Sequence, residues 1–283
     1  PASLFDLGGT SQQLTAILVL RLCADKKLRL DDPVQKYLPE WPADKAAITI
    51  EHLLRHTSGL PGEASWTGGA ANASRTASEA IGRTKLVAAP GGPQHYSSLN
   101  ASTQALVVET VLQGRFDKLL TERVQKSFGM AGAGACNGRF DDKLVTARRS
   151  AANERGEPAT AFELNWAHRG ARGVLASVTD VHALLGALVE GKLLDEAQLD
   201  MLWQPVAGGD SYSVQVVVSA AGRLVRIAGQ AAGYRWRWLV HRASRTWVVL
   251  ATEDFGSTGE LEAALLAELA PRADTTAGPE PQP

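Results

Sequence analysis

Several short stretches of this chain hold hydroxyl, imidazole or phenol groups in settings suited to chemistry. The segment "FDLGGTSQQLTA" (5–16) has a glycine turn, a polar helix start with the hydroxyls of Thr10 and Ser11, and then an apolar run. A hydroxyl near a helix N-terminus becomes a nucleophile when a base stands one turn along the same face. Ser11 would need that base at position 14 or 15, which are Leu14 and Thr15, and no Ser-x-x-Lys occurs anywhere in the chain. "RHTSGLP" (55–61) offers His56 and Ser58 either as a reacting pair or as a helix end and turn. "HYSSLN" (95–100) offers Tyr96 either to line a pocket, to move a proton, or simply to pack, with His95 beside it in an exposed loop.

Other side chains are weighed the same way. Arg235 and Arg237 could grip a carboxylate bidentately, but alternate charges on a strand more often form a solvated face. Trp236 and Trp238 could stack on a ligand, yet packing against helices is the simpler reading. His52, His168, His182 and His241 show no metal-ligand spacing, so neither a metal nor another cofactor is expected. The adjacent Asp31 and Asp32 diverge and read as a helix start. Cys23 and Cys136 are too few for a disulfide framework or a metal cluster; Cys23, in a Leu-rich run, reads as a small apolar residue.

The elements that must position these groups are legible from periodicity. Leu14, Ile17, Leu18 and Leu22 place a helix over 11–25. Leu30-Asp31-Asp32-Pro33 is a turn that starts a new helix. "ITIEHLLRHTSGLPG" (48–62) is a short helix ended by Ser58-Gly59 and Pro61. Residues 63–75 and 89–100 read as loops, with helices expected from Ala101 to Leu112 and from Phe116 to Lys126. Residues 130–160 are weakly patterned. A helix over 177–191 has Ser177 or Thr179 as N-cap and Gly191 just past its end. The period then changes: 211–219, 223–229, 234–241 and 246–252 read as strands of an antiparallel meander. A last helix over 257–269, with a Ser257/Glu260 capping box, should bury Leu261, Leu265 and Leu269. The tail from 271 to 283 lacks core-forming residues and is expected to be disordered.

Taken together, these segments resemble the serine β-lactamase and penicillin-binding-protein family, in the branch of class C β-lactamases, D-Ala-D-Ala carboxypeptidases and esterases. "FDLGGTSQQLTA" is similar to that family's nucleophile turn and helix, and "LRLDDPVQKYLPEWP" to the segment after it. "ITIEHLLRHTSGLPG" is the most specific match, "PGGPQHYSSLN" resembles the tyrosine loop, and "ARGVLASVTDVHALLGALVEGKLL" a later helix. The resemblance covers most of residues 4–255. It implies an α+β fold, with an antiparallel β-sheet flanked by helices beside a mostly helical subdomain. Residues 1–30 and 171–270 would form the sheet subdomain and 31–170 the helical one. It also makes His56 and Ser58 structural.

The same resemblance implies a serine nucleophile, a lysine three residues on, an assisting tyrosine, and a Lys/His-x-Gly on the sheet edge. Here those positions fall on Gly9 and Gln12, then on Tyr96 with Ser98 in place of the usual Asn, and on Gln230 and Ala232 in "AGQAAGYR". Glycine has no side chain, and a carboxamide is no base near neutral pH. Thr10 and Ser11 do not fill the direction of Gly9, because each helical residue turns roughly 100° from the last. The family also has a helix and two strands before the nucleophile turn. From Pro1, so close to that turn, the expectation is either a truncated chain or a partner chain or paralogue that completes the sheet.

The chain's 29 Lys+Arg balance 30 Asp+Glu, without a basic cluster, so no nucleic-acid partner is expected. No apolar stretch reaches the roughly 18–20 residues of a membrane span. The first expectation is therefore a family member without the family's catalysis. It would bind a small molecule, a peptide or another protein in its cleft, with Tyr96 as a vestigial base. The alternative is a residual serine-hydrolase-type enzyme, whether esterase, D-amino-acid peptidase or β-lactamase, working with a partner chain or a non-standard nucleophile. Relatives mostly act outside the cytoplasm; the sequence itself names no compartment.

Overall fold

A computed structural model describes residues 4–62, 74–135, 169–205, 215–218, 224–231, 234–252, 261 and 264–265. The fold is α+β, with helices packed around small antiparallel sheets. Strand β1 (Phe5–Asp6) leads into a 3-10 turn (Gly8–Thr10) and helix α1 (Ser11–Ala24). Along α1 the side chains of Leu14, Ile17, Leu18, Val19, Leu20 and Leu22 are all buried. A helix apolar on every side must sit in the centre, and α1 packs against the later helix α4 (Ser98–Leu112), itself buried without a break from Ser98 to Val108.

Around this pair stand α2 (Ile50–Leu54), α3 (Ser74–Gly82) and α5 (Phe116–Ser127). Strands β2 (Gly134–Ala135) and β3 (Val174–Ala176) form a small sheet with β1, in the order β1-β3-β2. Helices α6 (Val178–Val189) and α7 (Glu196–Leu202) precede the main sheet. That sheet is an antiparallel meander of β4 (Gln215–Val218), β5 (Leu224–Ala231), β6 (Tyr234–His241) and β7 (Thr246–Thr252). Its register pairs Trp236 with Gly229 and Ala251, so Trp236, Trp238 and Val240 share one buried face. Helix α6 lies on β7, where the Trp247 indole N–H donates to the His182 carbonyl at 3.1 Å.

Several expectations are corrected. Helix α2 stops at Arg55, short of Ser58-Gly59, because His56 takes the left-handed conformation (φ 55°). The segment after Pro33 makes two short 3-10 turns, Val34–Lys36 and Ala43–Lys45, in place of a helix. Helix α3 begins at Ser74, inside the span expected to be loop, and α4 begins at Ser98 rather than Ala101. Helix α7 is additional. Asp195 caps it by accepting the Gln198 N–H, and the Gln198 side chain answers in a capping box. In the last helix Leu261 is 51% exposed, so it does not belong to a buried stripe. Leu265 is half-buried, and Leu269, the Ser257/Glu260 capping box and the tail lie outside the described residues.

Candidate functional site

The turn before α1 is built by its own sequence. Gly8 adopts φ 52°, a conformation open to glycine, and its N–H donates to the Asp6 carboxylate at 2.9 Å. Thr10 closes the turn, with both its N–H (3.1 Å) and its hydroxyl (2.6 Å) donating to the Leu7 carbonyl. Gly8, Gly9 and Thr10 are all buried. The hydroxyl of Ser11, 1% exposed, accepts the Val174 N–H at 3.3 Å. Both hydroxyls near Gly9 are therefore engaged in holding the turn to itself and to β3.

One helical turn beyond Gly9, the Gln12 carboxamide donates from Nε2 to the Tyr96 hydroxyl at 2.6 Å. Gln12 is 5% exposed, and its Oε1 has no hydrogen-bond partner among the described residues. Two residues 84 positions apart thus meet. Ser98 is turned elsewhere: its backbone N–H (2.9 Å) and hydroxyl (3.0 Å) both donate to the Gly62 carbonyl.

Beneath Tyr96 lies the "HTSG" turn. The His56 and Tyr96 rings stack, with centroids 5.1 Å apart and planes 18° from parallel. His56 Nδ1 faces the Ser97 N–H at 3.2 Å and the Asn100 Nδ2 at 3.0 Å. A backbone N–H can only donate, so Nδ1 must be the acceptor and the ring proton sits on Nε2. Ser58 donates its hydroxyl to Asn100 Oδ1 at 2.5 Å and accepts the Leu60 N–H. Burial, and secondarily the nearby His95, push the His56 pKa down to about 4, so the ring is neutral at neutral pH. His56 and Ser58 do not face each other as nucleophile and base; both act on Asn100.

The sheet closes the other side. At Gly229, on β5, a Cβ would stand 2.4 Å from Thr10 Cγ2 and 3.1 Å from Thr10 N, so only glycine lets the strand abut the turn. Gln230 follows it in β5, in register with Arg235, and Ala232 lies outside the described residues. Trp236 donates its indole N–H to the Asp6 carbonyl at 2.9 Å and meets Phe5 edge-on, clamping β1 under β6. Sequence reasoning passed over Gly229, Asp6 and Asn100. Only Asp6, two residues before a glycine turn, carried a local signal.

Several of the remaining candidates have structural partners, whereas His168 and Cys136 lie outside the described residues. His52 completes the α2 capping box with Thr49. His182 contacts Trp247, and His241 shares a hydrogen bond with Ser244. Arg237 donates to the Trp236 carbonyl. Asp31 pairs with Arg29, whereas Asp32 binds Lys36 and Tyr37, so the two carboxylates diverge. Half-burial, then the Asp32 charge, push the Cys23 thiol up to about 11. Among the described residues no three of His, Cys, Asp and Glu converge on a metal position.

A family model described as Beta-lactamase matches residues 1–270. The chain belongs to the beta-lactamase family. Among curated relatives it is 25% identical over 207 residues to the putative penicillin-binding protein PbpX of Bacillus subtilis (strain 168), covering 72% of this chain and 51% of that one. It is 25% identical over 137 residues to protein flp of Staphylococcus aureus (strain N315), covering 46% and 28%. The chain thus spans about half the length of the first and under a third of the second.

Solved structures share the beta-lactamase fold. A beta-lactamase/D-alanine carboxypeptidase from Pseudomonas syringae superposes with TM-score 0.75 at 16% identity, covering 96% of this chain and 85% of that one. A penicillin-binding protein from Bacillus halodurans gives 0.74 at 22%, covering 94% and 86%. The D-amino acid amidase from Ochrobactrum anthropi SV3, complexed with L-phenylalanine amide, gives 0.73 at 16%, covering 94% and 84%.

Proposed function

We propose that this beta-lactamase-family chain does not form an acyl-enzyme and uses the cleft between its helical region (31–170) and its sheet region (1–30 and 171–270) to bind a ligand. The observation that carries the reading is the pairing of Gln12 with Tyr96 one turn beyond Gly9. A carboxamide occupies the place of a proton-accepting amine, and the position before it has no side chain to attack with. Nucleophile and base act as a unit, so loss of both removes the covalent route altogether. The nearby hydroxyls support the same reading, since Thr10 is bound to Leu7 and Ser11 to Val174.

A second reading, residual hydrolysis, draws on the survival of Tyr96 against the turn and on relatives whose names describe amidase and carboxypeptidase activity. In it Tyr96 would activate water, or a partner chain would supply the nucleophile. Labelling of the isolated chain with a fluorescent penicillin and a fluorophosphonate separates the two. No label is expected. A stable label that disappears in Ser11→Ala would overturn the first reading, and ester turnover lost in Tyr96→Phe would establish the second.

A further inference from the structure

We infer that His56 is the positioning residue of the candidate site, a neutral imidazole that fixes Tyr96 against Gln12. The inference rests on the proposed reading only in taking Gln12 and Tyr96 as part of the cleft.

One residue holds three successive residues of the tyrosine loop. The His56 carbonyl accepts the His95 N–H at 2.8 Å, its ring underlies the Tyr96 ring, and its Nδ1 accepts the Ser97 N–H. The left-handed backbone at His56, uncommon outside glycine, turns the chain out of α2. Asn100, oriented by the Ser58 hydroxyl, gives Nδ1 its second donor from α4. The Tyr96 hydroxyl then reaches Gln12 from a ring whose loop is held on both sides.

The charged and titratable neighbours do not favour an imidazolium here. On the loop stands His95, whose charge opposes protonation. On its own helix are His52 and the Glu51–Arg55 ion pair at 2.7 Å, and α4 presents the uncharged Asn100. A proton on Nδ1 would turn the shared acceptor into a third donor, so the bonds from Ser97 and Asn100 must break and Tyr96 loses its support.

Tyrosine-selective 13C labelling tests this on the whole chain, which has four tyrosines, with Tyr96 assigned by Tyr96→Phe. In a titration from pH 8 to 3 the Tyr96 ring resonance should shift in an acid limb. Its midpoint should lie well below the ordinary histidine value of about 6.5. His56→Phe, which keeps a ring but not the acceptor, should abolish the limb. An unchanged limb in that variant, or a Tyr96 resonance that stays still while the His56 imidazole titrates, would overturn the inference. Should His56→Phe not fold, Asn100→Asp sets a carboxylate beside Nδ1 and should raise the midpoint by about 1–3 units; an unmoved limb there also overturns it. An acyl adduct would defeat the proposed function while leaving this readout intact.

Discussion

At the scale of single residues, the account turns on what Gly9 and Gln12 lack. The sequence offers both as candidates by resemblance, and the fold adds that Gln12 lies against Tyr96. The Asn100 link was not legible, because it joins positions 42 and 44 apart whose approach only the fold determines. If absence of nucleophile and base is what blocks acylation, restoring both should matter more than restoring either. Gly9→Ser with Gln12→Lys is expected to gain slow labelling by fluorescent penicillin, with each single variant slower by about 100-fold or more, the contribution of a positioned base.

The buried His56 adds a pH dependence to stability. Its folded pKa, about 4, lies below the unfolded value of 6.5, so the unfolded chain binds the proton first. The stability contribution is fully present above pH about 6.5 and is lost as pH falls through the window down to about 4, by an amount on the order of 3 kcal/mol. Urea unfolding at pH 7.5 and 4.5 should show this loss in the wild type and not in His56→Phe.

At the scale of elements, long periodic segments were read more closely than short ones, some of which were missed or misbounded. Helices α1 and α4 and strands β5 to β7 have enough apolar repeats for their period to stand out. Helix α7 has seven residues, and its only local signal is the Asp195/Gln198 box. Helix α2 ends early because His56 already takes a left-handed conformation, three residues before Gly59 does so again. For α6 the sequence left Ser177 and Thr179 open, and Ser177 is the cap, exchanging bonds with Asp180, which also accepts the Gly132 N–H. Ser177→Ala should therefore destabilise by about 1 kcal/mol, within roughly 0.5–2, read as a lower urea midpoint at unchanged slope. On β5, Gly229→Ala forces its new methyl against Thr10 and should cost about 1–3 kcal/mol. Thr10 adjoins the turn, so the Tyr96 resonance should move in this variant as well; a stable variant with an unmoved Tyr96 would show that β5 does not set the turn.

At the scale of the whole molecule, the sheet and the helical core meet at the turn before α1. Trp236 holds β1 from the sheet side, Gly229 lets β5 touch Thr10, and Tyr96 arrives from the helical side over His56. In the reading we propose, this junction surrounds Gly9, a position with no side chain. No described helix is long and apolar enough to cross a membrane.

The most direct measurement is the intact mass of the purified chain after prolonged incubation with a penicillin and with an activated ester. The account predicts an unchanged mass with both. A covalent adduct of the mass of the acyl group, retained after denaturation, would contradict it.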